Sequence, residues 1–245
     1  MRLAGTLLAL VALAITSGCA HRPADDPADP LEPINRVMFT FNETADKYAL
    51  RPVAKAYVQV TPAPARTGIT NFFDNLGEPR NVVNALLQLK FTQAGKNLGR
   101  LVLNTTAGLG GFIDVASEVG LDKHEEGFGQ TLGYWGVGEG WYLMLPLLGP
   151  STNRDLVGFA GDSFVNPSFL LPGRYDVYVL SANATNLVNT RANFLAADGI
   201  LAQQFDRYLF VRTAYLQQRW SLIHDGNPPF EDLELPEDPE EPPTN

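Results

Sequence analysis

Three features of the 245-residue chain predict a mainly α fold. Apolar residues recur every three or four positions through most of it, alternating apolar–polar runs are scarce, and Pro or Gly cuts the periodic stretches into short segments. The 45% hydrophobic and 18% charged composition supports a sizeable core and excludes wholesale disorder. A net charge of -9, with no run of Lys or Arg, is a poor match to a polyphosphate, so no nucleic-acid partner is expected.

In chain order, residues 1–18 read as a signal peptide. Arg2 precedes an apolar stretch from Leu3 to Ile15, and Thr16-Ser17-Gly18 supply small residues before Cys19. The stretch is short for a spanning helix of about 20 residues. Cys19 is the single thiol, which excludes an intrachain disulfide and a Cys-rich metal site. Its placement resembles a bacterial lipobox, although Thr16 stands where Leu is usual, and Cys19 is therefore the expected lipidation site. With Ala20, rather than Asp, after the Cys, this resemblance implies sorting to the outer membrane. Residues 19–33 are Pro- and Asp-rich and read as an extended tether. Residues 225–245 form an acidic, Pro-rich tail expected to be disordered.

The body, residues 34–224, is read as amphipathic helices. Ile34, Val37, Met38, Phe41, Ala45 and Tyr48 share one helix face, with Pro33 in the first turn and Arg51-Pro52 predicting the end. Ile69, Phe72, Phe73 and Leu76 form a second stripe. Pro79 is expected to start a third, with Val82, Val83, Leu86 and Leu87. A fourth stripe comprises Ala94, Leu98, Leu101 and Val102. A fifth, after a flexible Gly108–Gly111 stretch, comprises Phe112, Val115, Ala116 and Val119. Two adjacent heptad columns from Leu187 to Ile223 predict a long C-terminal helix, with Asp198-Gly199 as a candidate bend. Short strands or a hairpin are expected at Trp141–Leu148 and Tyr175–Leu180. No segment of the mature chain reaches the roughly 18 apolar residues of a spanning helix, and a β-barrel is not expected. Periodicity alone favours a soluble bundle, but a lipid tether would hold every amphipathic face beside the membrane surface.

Catalytic chemistry is hard to find. His21, His124 and His224 are far apart, and no metal or cofactor is expected. The glycines from Gly133 to Gly140 lack the strand–loop–helix context of a nucleotide loop. Gly161-Asp162-Ser163 resembles a lipase nucleophile block, yet Ser221 stands where an Asp three residues before His224 would be needed. No enzymatic activity is expected.

A series of blocks runs through the chain: Asp29–Arg36 continuing to Asn42, Leu50–Ala54, Pro62–Arg66, Asn71–Leu76 with Glu78-Pro79, Asn84 with Leu86–Gln88, and Asn104-Thr105. Gly110–Ala116, Phe128–Leu132, Trp135–Gly138, Leu145-Pro146, Gly149–Ser151 and Arg154-Asp155 complete it. In this order the blocks resemble the MlaA/VacJ family of phospholipid-transporting outer-membrane lipoproteins. The matching positions include Asn35, Phe39, Asn42, Arg51, Asn71, Phe72, Asn104, Arg154 and Asp155. The resemblance implies a compact helical disc embedded in the periplasmic leaflet of the outer membrane, with a central amphipathic channel for mislocalised phospholipids. It implies trimeric outer-membrane porins as partners, and a soluble periplasmic lipid carrier feeding an inner-membrane ABC transporter. Gly140, Trp141, Leu143, Met144, Leu145, Pro146, Leu147 and Gly149 would then form a hairpin gating the channel. The alternative is a structural porin-associated surface lipoprotein that moves no lipid.

Overall fold

The computed structural model describes residues 29–165 and 176–229. Cys19, His21, the signal peptide, most of the tether and the tail from residue 230 lie outside the described residues.

Helix α1, Glu32–Ala45, carries Pro33 in its first turn, where a missing N–H costs nothing. The predicted stop at Arg51-Pro52 does not occur. A π-turn over Asp46–Leu50 runs directly into α2, Arg51–Val60. The Arg51 N–H reaches back to the Asp46 carbonyl, so the ladder has already left α register where Pro52 has no N–H to give. Pro79 likewise starts no new helix. It sits inside α3, Ala63–Leu87, which spans the second and third predicted stripes. An interior proline costs about 3 kcal/mol, and α3 is held on both sides of it by buried polar residues.

A tight turn through Leu89 (φ +61°) leads to α4, Phe91–Thr106, which makes the most extensive helix–helix contact with α3. The fifth stripe shrinks to one turn, α5, Val115–Glu118, whose N-terminus is capped by Asp114 accepting the Ser117 N–H at 3.2 Å. After α6, Phe128–Tyr134, comes the hairpin, shifted from its expected bounds. Strand β1 is Tyr142–Leu145, the loop is Pro146–Leu148, and β2 is Gly149–Thr152, with Tyr142 opposite Thr152 and Leu145 opposite Gly149. Thr152 then caps α7, Asn153–Ser163. Gly158 of α7 meets Gly129 of α6 so closely that an added Cβ at Gly158 would lie 2.4 Å from the Gly129 nitrogen.

The strand expected over Tyr175–Leu180 is helical from Asp176 onward, as the start of α8, Asp176–Asn193; Tyr175 lies outside the described residues. The single long C-terminal helix is also corrected. A 3-10 turn at Phe194–Ala197 and a short α9, Asp198–Ala202, separate α8 from α10, Arg207–Ile223. Acidic side chains fix these corners. Asp198 pairs with Arg51 and Arg191, each at 2.8 Å. Asp206 accepts the Leu209 N–H and pairs with Arg36 at 2.8 Å. The heptad columns persist across breaks that a pattern of apolar residues does not reveal.

Burial is inverted relative to an ordinary bundle. The apolar stripe of α1 faces outward, with Ile34 60% and Val37 61% exposed, and Leu86, Leu87, Leu98, Val102, Val119 and Phe194 are exposed too. The interior of α3 and α4 is instead polar: Glu78, Asn81, Asn84, Gln88, Asn97, Arg100 and Asn104 are buried. Arg100, 2% exposed, uses all five of its N–H groups. Nε donates to Glu78 at 2.9 Å, Nη1 to Ser117 Oγ and the Leu121 carbonyl, and Nη2 to both Asp114 oxygens at 3.1 Å. From Glu78 the network continues through Asn81 to the Glu126 backbone. The Glu126 carboxylate accepts from Gln88, which also donates to Thr131; Thr131 then donates to Asn84 and Asn84 to Asp162. Apolar packing centres on Tyr142, Met144 and Tyr208 at the hairpin.

Two outcomes follow from this interior. Arg100→Met leaves Glu78 charged and without an ion-pair partner, and denaturant unfolding of the purified protein should show a loss of about 3–5 kcal/mol. The double variant Glu78→Met/Arg100→Met should recover much of that loss. The second outcome concerns acid. Burial raises the Asp114 carboxyl, but hydrogen bonds from Ser117, Asn104 and Arg100 outweigh it and bring its pKa down to about 2, from an ordinary 3.8. Its contribution is therefore complete above about pH 4 and is lost as pH falls through about 2. Asp114→Asn should flatten the acid limb of the stability curve in that window and cost about 1–2 kcal/mol at neutral pH.

Candidate functional site

The hairpin is docked by two asparagines of α1, Asn35 and Asn42, seven residues apart and so on one face. The Asn35 amide donates to the Tyr142 carbonyl at 3.0 Å and accepts the Met144 N–H at 2.9 Å. Asn42 repeats the pattern two turns on, donating to the Leu145 carbonyl at 2.8 Å and accepting the Leu147 N–H at 2.7 Å. Each side-chain amide mimics a peptide group: Asn35 pairs the free edge of β1 as a third strand would, and Asn42 holds the end of that strand and the loop beyond it.

The two ends of this seam differ. Asn35 is buried and also donates to Asp29 at 2.8 Å. Asp29 in turn accepts the Tyr208 hydroxyl. Tyr142 packs edge-on to Tyr208 and Tyr215, with Phe39 also edge-on to Tyr208. Burial, reinforced by the Asp29 charge, pushes the Tyr142 phenol well above its usual range, and its oxygen has no hydrogen-bond partner. Burial and the hydrogen bond to Asp29 do the same to Tyr208. At the other end the tip is open, with Leu147 and Leu148 each 69% exposed. Leu147 holds φ +62°, a left-handed conformation that costs an L-residue about 1–2 kcal/mol.

The remaining family-motif residues brace the same scaffold. Asp155 accepts Tyr215 Oη at 2.6 Å and both Arg219 Nε and Nη2, at 2.9 and 2.6 Å. Arg154 donates to the Val137 carbonyl at 3.1 Å, holding the loop that leads into β1. Arg51 pairs with Asp198. Asn104 donates to Asp114 and accepts the Ala116 N–H, each at 2.9 Å. Asn71 donates to the Phe112 carbonyl at 3.2 Å, and Phe72 stacks on Phe112. Of the hairpin residues, Met144 is buried with Tyr142, Leu143 and Leu145 are partly buried, and Trp141 is exposed. Gly140 and Gly149, at its two ends, hold φ +69° and +83°.

Asp29, Tyr208, Tyr215 and Arg219 carry as much of this site as the motif positions do, yet the sequence singled out none of them as a site residue. Tyr208 and Tyr215 did signal themselves, as members of one heptad column, but that pattern reads as apolar packing and hides the hydroxyls. The lipase-like Ser163 donates to the Phe159 carbonyl of its own helix at 2.9 Å, and Asp162 is occupied by Asn84 and the Phe128 N–H. Among the described residues no group of three His, Cys, Asp or Glu side chains could hold a metal ion.

Comparison with known proteins assigns the scaffold. The family model described as MlaA lipoprotein matches residues 27–221. The chain belongs to the MlaA lipoprotein family. The Escherichia coli K12 protein named intermembrane phospholipid transport system lipoprotein MlaA is 41% identical over 217 residues, covering 85% of this chain and 84% of that one. The Haemophilus influenzae protein of the same name is 34% identical over 247 residues, covering 95% of each chain. A solved structure from work on maintenance of bacterial outer membrane lipid asymmetry superposes with a TM-score of 0.71. It is 40% identical and covers 80% of this chain and 98% of its own. The match takes in the stretch that holds the blocks read from the sequence, and many of their polar members bond backbone groups of other elements.

Replacing the two docking asparagines should separate their roles. Asn35→Ala orphans the Met144 N–H and the Tyr142 carbonyl in a buried setting and should cost about 2 kcal/mol or more. Asn42→Ala lets water reach the tip and should cost less than about 1 kcal/mol, while speeding hydrogen exchange at the Leu147 amide. Equal losses in denaturant unfolding would contradict this division of the hairpin.

Proposed function

We propose that this chain is the outer-membrane lipoprotein of an intermembrane phospholipid transport system. It takes mislocalised phospholipids from the outer leaflet and passes them toward the periplasm, maintaining lipid asymmetry. The observation that carries this reading, beside family membership, is the inverted burial: exposed apolar helix faces surround a hydrogen-bonded polar interior. A protein surrounded by water gains by burying such faces, at roughly 25 cal/mol per Å². A protein seated among acyl chains does not, so the arrangement suits a body sunk in one leaflet. No helix among the described residues is long and apolar enough to cross a membrane, and insertion to part of the bilayer depth is the mode consistent with that.

In this reading Cys19 is acylated and fixes the body to the periplasmic leaflet, and trimeric porins hold the assembly in place. A soluble carrier that feeds an inner-membrane ABC transporter accepts the lipid. A phospholipid needs an apolar path for its tails beside a polar path for its headgroup, and amphipathic helices around a polar interior supply both. The Pro146–Leu148 tip is the moving part of the gate, and the Asn35 end is its fixed base.

Complementation of a strain lacking the gene tests this. Wild-type chain should return surface-exposed phospholipid to its normal low level, and Cys19→Ser should fail to do so. Asn42→Cys/Leu147→Cys should complement when reduced and fail when the disulfide forms, at equal protein abundance. Oxidised protein that transports as fast as reduced protein removes the gate. Normal asymmetry in the deletion strain removes the transport reading and returns the structural, porin-associated alternative.

A further inference from the structure

A cavity of about 200 Å³ opens between α3 and α8, away from the hairpin, lined by Asp74, Arg80, Lys123, Glu125, Asn183 and Asn186 among others. It is smaller than the roughly 300–1,000 Å³ that enclose a drug-sized ligand, so it suits a headgroup and not a whole lipid. Its charges are arranged unequally. Lys123 is shared by two carboxylates, Asp74 at 3.0 Å and Glu125 at 2.7 Å, which leaves that cluster one negative charge in surplus. Arg80 has no such partner. Its Nη2 reaches only Asn81 Oδ1 at 3.3 Å, its Nε is enclosed without an acceptor, and no carboxylate among the described residues lies within ion-pair distance. The cavity wall therefore carries a guanidinium without a direct ion pair and, near enough for its charge to act on Glu125, a surplus carboxylate charge, with the neutral amides of Asn183 and Asn186 contributed by α8.

We propose that this cavity is a docking station for a zwitterionic phosphoammonium headgroup, with its phosphate on Arg80 and its ammonium at the Asp74–Lys123–Glu125 cluster. The proposal rests on the phospholipid reading above and adds a headgroup class to it. A guanidinium binds a phosphodiester through paired N–H donors. An anionic headgroup without an ammonium gains the Arg80 contact but meets the surplus carboxylate charge, which discriminates against it. Free phosphate is disfavoured in the same way.

The test uses the full lipoprotein in non-ionic detergent, with equilibrium binding of three probes: dihexanoyl phosphatidylethanolamine, dihexanoyl phosphatidylglycerol and inorganic phosphate. The ethanolamine lipid should bind about tenfold more tightly than the glycerol lipid. Arg80→Gln should weaken it about tenfold, as expected for loss of a charge-assisted hydrogen bond, with an unchanged unfolding temperature because the Arg80 side chain makes only one long hydrogen bond among the described residues. Arg80→Lys should restore part of the loss, and Glu125→Gln should shrink the preference between the two lipids. Equal binding of the two lipids, or Arg80→Gln binding as wild type does, overturns the station and leaves the transport reading standing. Inorganic phosphate binding as tightly as the ethanolamine lipid overturns the lipid assignment in favour of a free-phosphate site. Wild-type protein that binds neither lipid overturns the station and removes the transport reading as well.

Discussion

The rest of the fold is organised around the burial of the Arg100 guanidinium. A lone ion in an apolar interior costs several kcal/mol even after relaxation, and a cation with five donors is satisfied only by several acceptors in fixed positions. Glu78 and Asp114 supply charge, and Ser117 and the Leu121 carbonyl supply the remaining acceptors. Those groups come from α3, the α5 turn and the loop beyond it, so satisfying one side chain fixes three segments against α4. Glu78 then needs Asn81, and Asn81 accepts the Glu126 N–H. The asparagines and glutamines of this interior tie the buried charges of Arg100, Glu78 and Glu126 into one hydrogen-bonded network.

With polar groups inside, the apolar stripes have to face out. This inversion accounts for helix breaks that would be costly elsewhere. The π-turn before Pro52 and the interior Pro79 both lie in helices fastened by polar contacts: Arg191 to Asp46 at 2.6 Å beside the first, and Glu78 to Arg100 beside the second. The corners at Asp198 and Asp206 are held in the same manner. Ion pairs of this partly buried kind hold geometry more than they add stability, and here geometry is what the discontinuous helices require.

The helical class and the hairpin's approximate place were legible in the sequence because the 3.6-residue period and the glycines at 140 and 149 are local signals. The positions of the helix breaks were not, apart from the bend at Asp198-Gly199, which falls where the 3-10 turn hands over to α9. Proline read as a stop at 52 and a start at 79, since a local rule cannot see a polar face that continues past it. The long C-terminal helix failed for a related reason: Asp198 and Asp206 look like ordinary solvated carboxylates until Arg51 and Arg36 arrive from distant segments. Which face of each helix lies inside was equally hidden, because an amphipathic period gives two faces and does not say what surrounds the fold. Asn35, Asn42 and Asn104 emerged only as matches to a family pattern. Their bonds to Tyr142, Leu145 and Ala116 are long-range and have no periodic signature.

The hairpin follows the same logic at smaller scale and sets what the proposed gate can do. Moving all of it would unmake the Asn35 pairing, uncover Met144 and disturb Tyr208 on Asp29, and each broken buried hydrogen bond costs about 1–3 kcal/mol. Moving only the tip breaks the Asn42 bonds, which water can replace. It also frees Leu147 from a left-handed conformation that costs about 1–2 kcal/mol. In the proposed gate the strain at Leu147 would offset part of the cost of leaving the docked position. A gate must have two states of similar stability, and the Pro146–Leu148 loop is the part of the hairpin where release from α1 costs least.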